Sequence, residues 1–91
     1  MLAWNVNRAL NFKHSGQHFL IDPFVIRSVL EHGMVNSNET VLEIGAGTGN
    51  ITAELQKHAG KVVAIEKDQR LVELLRRRFG ENGNVEIVEG N

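Results

Sequence analysis

From Thr40 onward the chain alternates between two periodicities that few folds can accommodate. TVLEI at 40–44, KVVAIE at 61–66 and VEIV at the start of 85–89 are nearly continuous apolar runs. Between them, Ile51, Leu55 and Ala59, then Leu71, Leu74, Leu75 and Phe79, recur at helical spacing. Short runs of this kind read as buried strands and the spaced positions as one face of a helix, which predicts β-α-β-α-β. Parallel strands need helical crossovers, right-handed in nearly all cases, and continuous apolar strands suit a parallel sheet covered on both faces. The expected fold class is therefore α/β, a Rossmann-like parallel sheet with strand order 3-2-1, half of a doubly wound domain.

In that order the strand at 40–44 lies where a second half would continue. An uncovered apolar edge invites pairing, so the pattern predicts a homo-oligomer through strand 40–44, or a remainder of the protein that covers it. Upstream, residues 1–20 carry Arg8, Lys13, His14 and His18 and no acid, with Trp4, Phe12 and Phe19 interleaved: a locally basic arm. Asp22-Pro23 then reads as a helix start, with Asp22 as cap and Ile21 able to staple onto Ile26. Ile26, Val29 and Leu30 supply the buried stripe and Gly33 the stop.

Ninety-one residues make at most one domain, and 42% hydrophobic with 23% charged residues is a globular composition rather than that of a disordered tail. The net charge of −1 says little about partners. With no cysteine, disulfides, thiolate metal sites and cysteine nucleophiles are excluded, and a reducing cytoplasm is the expected setting. No apolar run is long enough to span a membrane, and no signal-peptide pattern opens the chain. His32 and His58 lack metal-like spacing and are expected at the surface.

VLEIGAGTGN, residues 41–50, is the most informative stretch. Gly45, Gly47 and Gly49 fall between a strand and a helix, where missing side chains permit a sharp turn and a close approach to a ligand. The spacing is G-x-G-x-G, shorter than the form that seats a pyrophosphate on a helix N-terminus, so it suits a ligand without phosphate there. A tight loop is the plain alternative. Glu66 ends the second strand roughly 20 residues after Gly45, the interval expected of an acid that accepts from ribose hydroxyls. A carboxylate there would also repel a 2′-phosphate, favouring unphosphorylated adenosine, and Lys67 adjoins it. Asp68 is better read as the cap of the helix carrying Leu71. Glu43 should be partly buried and so needs a partner, either a cationic amine of a ligand or backbone amides of the turn. Asn91, after the third strand, falls at the same end of the sheet and either meets an adenine edge or frays.

KHSGQHFLID followed by VLEIGAGTGN, VVAIEKD and NVEIVEGN, from about Lys13 to Asn91, resembles the class I S-adenosylmethionine-dependent methyltransferases. More narrowly, it resembles the ribosomal RNA adenine dimethyltransferases of the small-subunit type, with the macrolide-resistance methyltransferases close behind. The resemblance implies that Gln17 and His18 fold over the cofactor's methionine end, anchored by Phe19 and Leu20. It assigns Gly45 and Gly47 to the methionine portion and Glu66 to the ribose. Asn91 stands where the family usually has an aspartate facing the adenine amino group; an amide oxygen can accept that hydrogen bond without charge assistance, so weaker binding is expected. The family's catalytic motif, an Asn-Leu-Pro-Tyr-like stretch, and its helical RNA-binding domain are expected beyond residue 91, so no catalytic residue is assigned within the chain.

On this reading residues 1–91 form a partial S-adenosylmethionine-binding domain, with an arm at 1–21 and a helix plus β-α-β-α-β at 22–91. Its function is methylation of adenine N6 in ribosomal RNA, with this chain inactive alone. The competing readings are a non-catalytic binding or self-associating module and, third, an NAD-binding protein. Arg8, Lys13 and His14, and with them Arg27, are candidates for RNA phosphates, against the plainer reading of a solvated arm. Arg76, Arg77 and Arg78 read as cations at a helix C-terminus. No metal site is expected.

Overall fold

A computed structural model describes residues 2–5, 8–10, 27–28 and 30–90. Strands β1 (Leu2–Asn5) and β2 (Arg8–Leu10) are followed by a helical turn at Leu30–Met34, strand β3 (Thr40–Ile44), helix α1 (Asn50–His58), β4 (Lys61–Glu66), α2 (Gln69–Phe79) and β5 (Val85–Glu89). The three apolar runs became the parallel strands, with Val41 registered on Val62 and Val62 on Val85. Gly33 adopts a left-handed conformation, φ 82°, and breaks the helical turn one residue before its end, near the stop expected there. The proposed helix start at Asp22-Pro23, with its staple and most of its apolar stripe, lies outside the described residues; Leu30, from that stripe, is buried.

The sheet order is β2-β1-β3-β4-β5. Its β5-β4-β3 part is the predicted 3-2-1 order, but the edge of β3 is not free. Leu2–Asn5 pairs with it antiparallel, Leu2 opposite Ile44 and Asn5 opposite Val41, and β2 pairs with β1 in turn. This corrects the expected homo-oligomer through strand 40–44: the chain's own start satisfies the N–H and C=O groups that would otherwise recruit another copy. Part of the segment read as an arm is therefore a β-hairpin.

Among the described residues the two faces of the sheet differ in burial. Along β3 and β4 burial alternates: Val41, Glu43, Val62, Ala64 and Glu66 are buried, while Leu42, Val63 and Ile65 are half-buried and Ile44 is exposed. One face of the sheet therefore carries the core among the described residues. Val41, Val62 and Val85 pack with Leu30, Val35, Leu55 and Ala59, while Ala46 and Ala64 pack with Leu75; Phe79 and Ile87 join both groups. Burying a Leu or Val side chain contributes roughly 1.5–3 kcal/mol, so these rows dominate the stability. Asn84 fastens α1 to the start of β5, donating from Nδ2 to the carbonyls of Gln56 and Ala59 at 2.9 and 3.0 Å. Those are carbonyls at the end of a helix, where intrahelical donors run out.

Candidate functional site

The glycine turn is built on the tips of two strands. Gly45 and Ala46 donate their N–H groups to Ile65 O at 2.8 and 3.3 Å, continuing the β3–β4 ladder into the turn. Gly45, Gly47 and Gly49 all have positive φ, at 76°, 62° and 91°, a conformation costly to any residue with a side chain. A Cβ on Gly45 or Gly47 would meet no atom within 4 Å: it would project into open space.

Glu66 closes the other side. Its Oε1 accepts from Gly47 N–H and its Oε2 from Asp68 N–H, both at 2.9 Å, so one carboxylate spans the turn and the start of α2. Glu66 is only 7% exposed. Each carboxylate oxygen has a second lone-pair site, so a vicinal diol could still donate to both. Asp68 caps α2 as expected, accepting from Arg70 and Leu71 N–H at 2.9 and 3.4 Å. Between Gly45 and Glu66 opens a crevice of about 320 Å³, lined by Ile44, Gly45, Ile65, Glu66, Lys67 and Gly90. It lies outside the carboxyl ends of the strands, where open α/β sheets take ligands. A larger cavity of about 550 Å³ lies by Lys61, Arg76, Asn84 and Glu86, at the opposite strand ends. It contains none of the turn, and its Lys61 and Glu86 are already paired at 3.0 Å.

Glu43 is fully buried beneath this turn. Among the described residues neither a turn amide nor a cationic side chain meets its carboxylate; instead Thr52 on α1 donates its hydroxyl to Oε1, while Oε2 has no hydrogen-bond partner there. Burial pushes the carboxyl up to about 7, against the Thr52 hydrogen bond, which pulls it down. The partner expected from the sequence was a ligand amine or the turn, and Thr52 was missed. Its signal was its place in the first turn of the helix that follows the glycines.

Lys67 is exposed at the crevice. Gln17, His18, Leu20, Lys13, His14 and Asn91 lie outside the described residues, and Arg8 is described only as part of β2. Arg27 is committed elsewhere: Nε and Nη2 donate to Glu54 at 3.4 and 3.2 Å, an ion pair that holds the Glu54 carboxyl below its ordinary range. It is therefore a weaker phosphate candidate than the sequence suggests. No group of His, Asp and Glu among the described residues could hold a metal, and no helix among them is long and apolar enough to cross a membrane.

The family model described as ribosomal RNA adenine dimethylase matches residues 9–91. The probable ribosomal RNA small subunit methyltransferase A of Thermococcus kodakarensis is 54% identical over 76 residues, which cover 84% of this chain and 27% of that protein. The rRNA adenine N-6-methyltransferase of Bacteroides fragilis is 43% identical over 81 residues, 89% of this chain and 30% of that protein. Among solved structures, the 23S rRNA methyltransferase ErmE superposes with a TM-score of 0.69 at 34% identity, over 81% of this chain and 30% of that one. The chain thus spans about 27–30% of the length of these relatives.

Proposed function

Because the chain belongs to the ribosomal RNA adenine dimethylase family, we propose that it supplies the S-adenosylmethionine-binding part of an enzyme that methylates adenine N6 in ribosomal RNA, in the cytoplasm. The observation that carries this reading is Glu66, oriented through both oxygens by Gly47 and Asp68 N–H beside a crevice that Gly45 lines without a side chain. The residues present fit the cofactor: a diol has acceptors on Glu66, and a chain passing over Gly45 and Gly47 meets backbone rather than side chain.

When bound, the cofactor supplies an electrophilic methyl group on a sulfonium centre. What these residues do is hold and orient it. Glu66 grips the ribose, Gly45 and Gly47 let the methionine portion lie close, and Glu43 offers its unpaired oxygen to the methionine ammonium, directly or through water. Lys67 flanks the ribose side. Gln17, His18 and Leu20 cover the methionine end, and Asn91 meets the adenine. Arg8, Lys13 and His14 contribute RNA-phosphate contacts. No residue in the chain is assigned a proton-transfer or nucleophilic role, so its contribution to rate is positional.

Equilibrium binding tests the reading. The chain is expected to bind S-adenosylmethionine in preference to NAD. Glu66→Gln, one of whose ends must present an NH₂ to a backbone N–H, is expected to weaken binding at least about tenfold. Equal affinity for NAD, or no effect of Glu66→Gln, would refute it. Radiolabel transfer to ribosomal RNA is expected to be undetectable with these 91 residues alone.

A further inference from the structure

The crevice works only if the glycine turn is already in shape, and the turn's far end is held by a helix that never reaches the crevice. At the near end, Gly45 is tied to Ile65 O and Gly47 to Glu66. From Thr48 to Asn50 the backbone bonds stay within the turn and α1: Gly49 N–H donates to Ala46 O and Gly49 O accepts from Ala53 N–H, and Gly49, the N-cap of α1, provides no side-chain cap. A glycine-rich backbone loses much conformational freedom on ordering, so a stretch tied only to itself would sample other shapes.

The last turn of α2 supplies the fastening. Arg78 Nη1 donates to Thr48 O at 2.8 Å and to Asn50 Oδ1 at 3.0 Å, bridging thirty residues of sequence to the first of these. Phe79 and Leu75 lie so close to Gly49 that a Cβ there would come within 2.7 Å of the Phe79 ring and 2.8 Å of Leu75. The guanidinium carbon stands 5.3 Å from the centre of the Phe79 ring, close enough for a cation–π contribution. The last turn of α2 favours a cation, but the start of α1, which the guanidinium also meets, opposes one. Its two hydrogen bonds offset that placement.

We propose that Arg78 is a positioning residue for the cofactor, clamping the Thr48–Asn50 end of the glycine turn onto Phe79 so that Gly45 and Gly47 present a preformed cradle. The ligand half of this inference rests on the proposed function; the clamp does not. Amide hydrogen exchange on the ligand-free chain therefore comes first. In Arg78→Ala, the amides of Gly49, bonded to Ala46 O, and Ala53, bonded to Gly49 O, are expected to exchange roughly tenfold faster. The amide of Val62 on β4, bonded to Asn84 O, should keep its rate, as should all three in Arg77→Ala. Titration with S-adenosylmethionine should then show roughly tenfold weaker binding in Arg78→Ala, partly restored in Arg78→Lys, which still brings one donor to Thr48 O. Unchanged exchange at Gly49 and Ala53, equal acceleration at Val62, or undiminished affinity would each overturn the proposal. Wild-type chain that binds no S-adenosylmethionine would sink the proposed function and this role together, while the exchange arm would still show whether Arg78 sets the turn.

Discussion

At the scale of single residues, Glu43 carries the largest consequence. It is fully buried, with one oxygen on Thr52 and the other without a hydrogen-bond partner among the described residues. Burial raises its folded-state value from 4.5 to about 7, so between those limits the folded chain holds a proton that the unfolded chain has lost. Stability from this group is fully present below 4.5 and declines as pH rises through 7. At 1.36 kcal/mol per unit, the decline amounts to roughly 3 kcal/mol at most. Thermal unfolding at pH 5 and pH 8 checks it: the wild-type midpoint should fall with rising pH, and Glu43→Gln, neutral throughout yet still able to accept from Thr52, should flatten that dependence. Equal slopes in the two proteins would mean the carboxyl is ionised in the fold. The sequence announced that Glu43 needed a partner, since its strand is apolar on both sides of it. It did not announce which one, because the Thr52 hydroxyl arrives only when α1 docks.

At the scale of elements, the turn from β3 into α1 answers to two different neighbours. Gly47 faces open space, whereas Gly49 is pressed against Leu75 and Phe79 of α2. Gly47→Ala should therefore cost only about 1 kcal/mol of left-handed strain in urea unfolding, while its methyl impairs cofactor binding. Gly49→Ala adds overpacking to the same strain and should cost about 2–4 kcal/mol. If both variants unfold at the same urea concentration, α2 does not pack on the turn as described. The strands at 40–44, 61–66 and 85–89 were legible to the residue because each is a local apolar run. Asp68 as cap and Gly33 as stop were legible for the same reason: their partners lie within a few residues. Arg78 is the helix-end cation expected, but its bond to Thr48 was not legible because Thr48 is thirty residues away.

At the scale of the whole molecule, the question is what holds the edge of β3. A complete doubly wound sheet sets a further strand beside its first, and here Leu2–Asn5 takes that place, although the family match begins only at residue 9. Gly45 N–H points to β4, so by strand alternation the N–H groups of Leu42 and Ile44 point the other way, toward Trp4 and Leu2. A four-residue strand held by one neighbour and a three-residue partner is a marginal cover. Trp4→Pro removes a donor opposite Leu42 and disfavours the ladder on both sides of it. Amide exchange should then accelerate at Leu42 and Ile44 while Val62, whose N–H faces β5, stays protected. Leu42 and Ile44 as slow as Val62 in that variant would mean that β1 is not what closes the edge. Acceleration at all three would mean that the hairpin supports the entire sheet, since β3 is the only described strand through which β1 can reach β4.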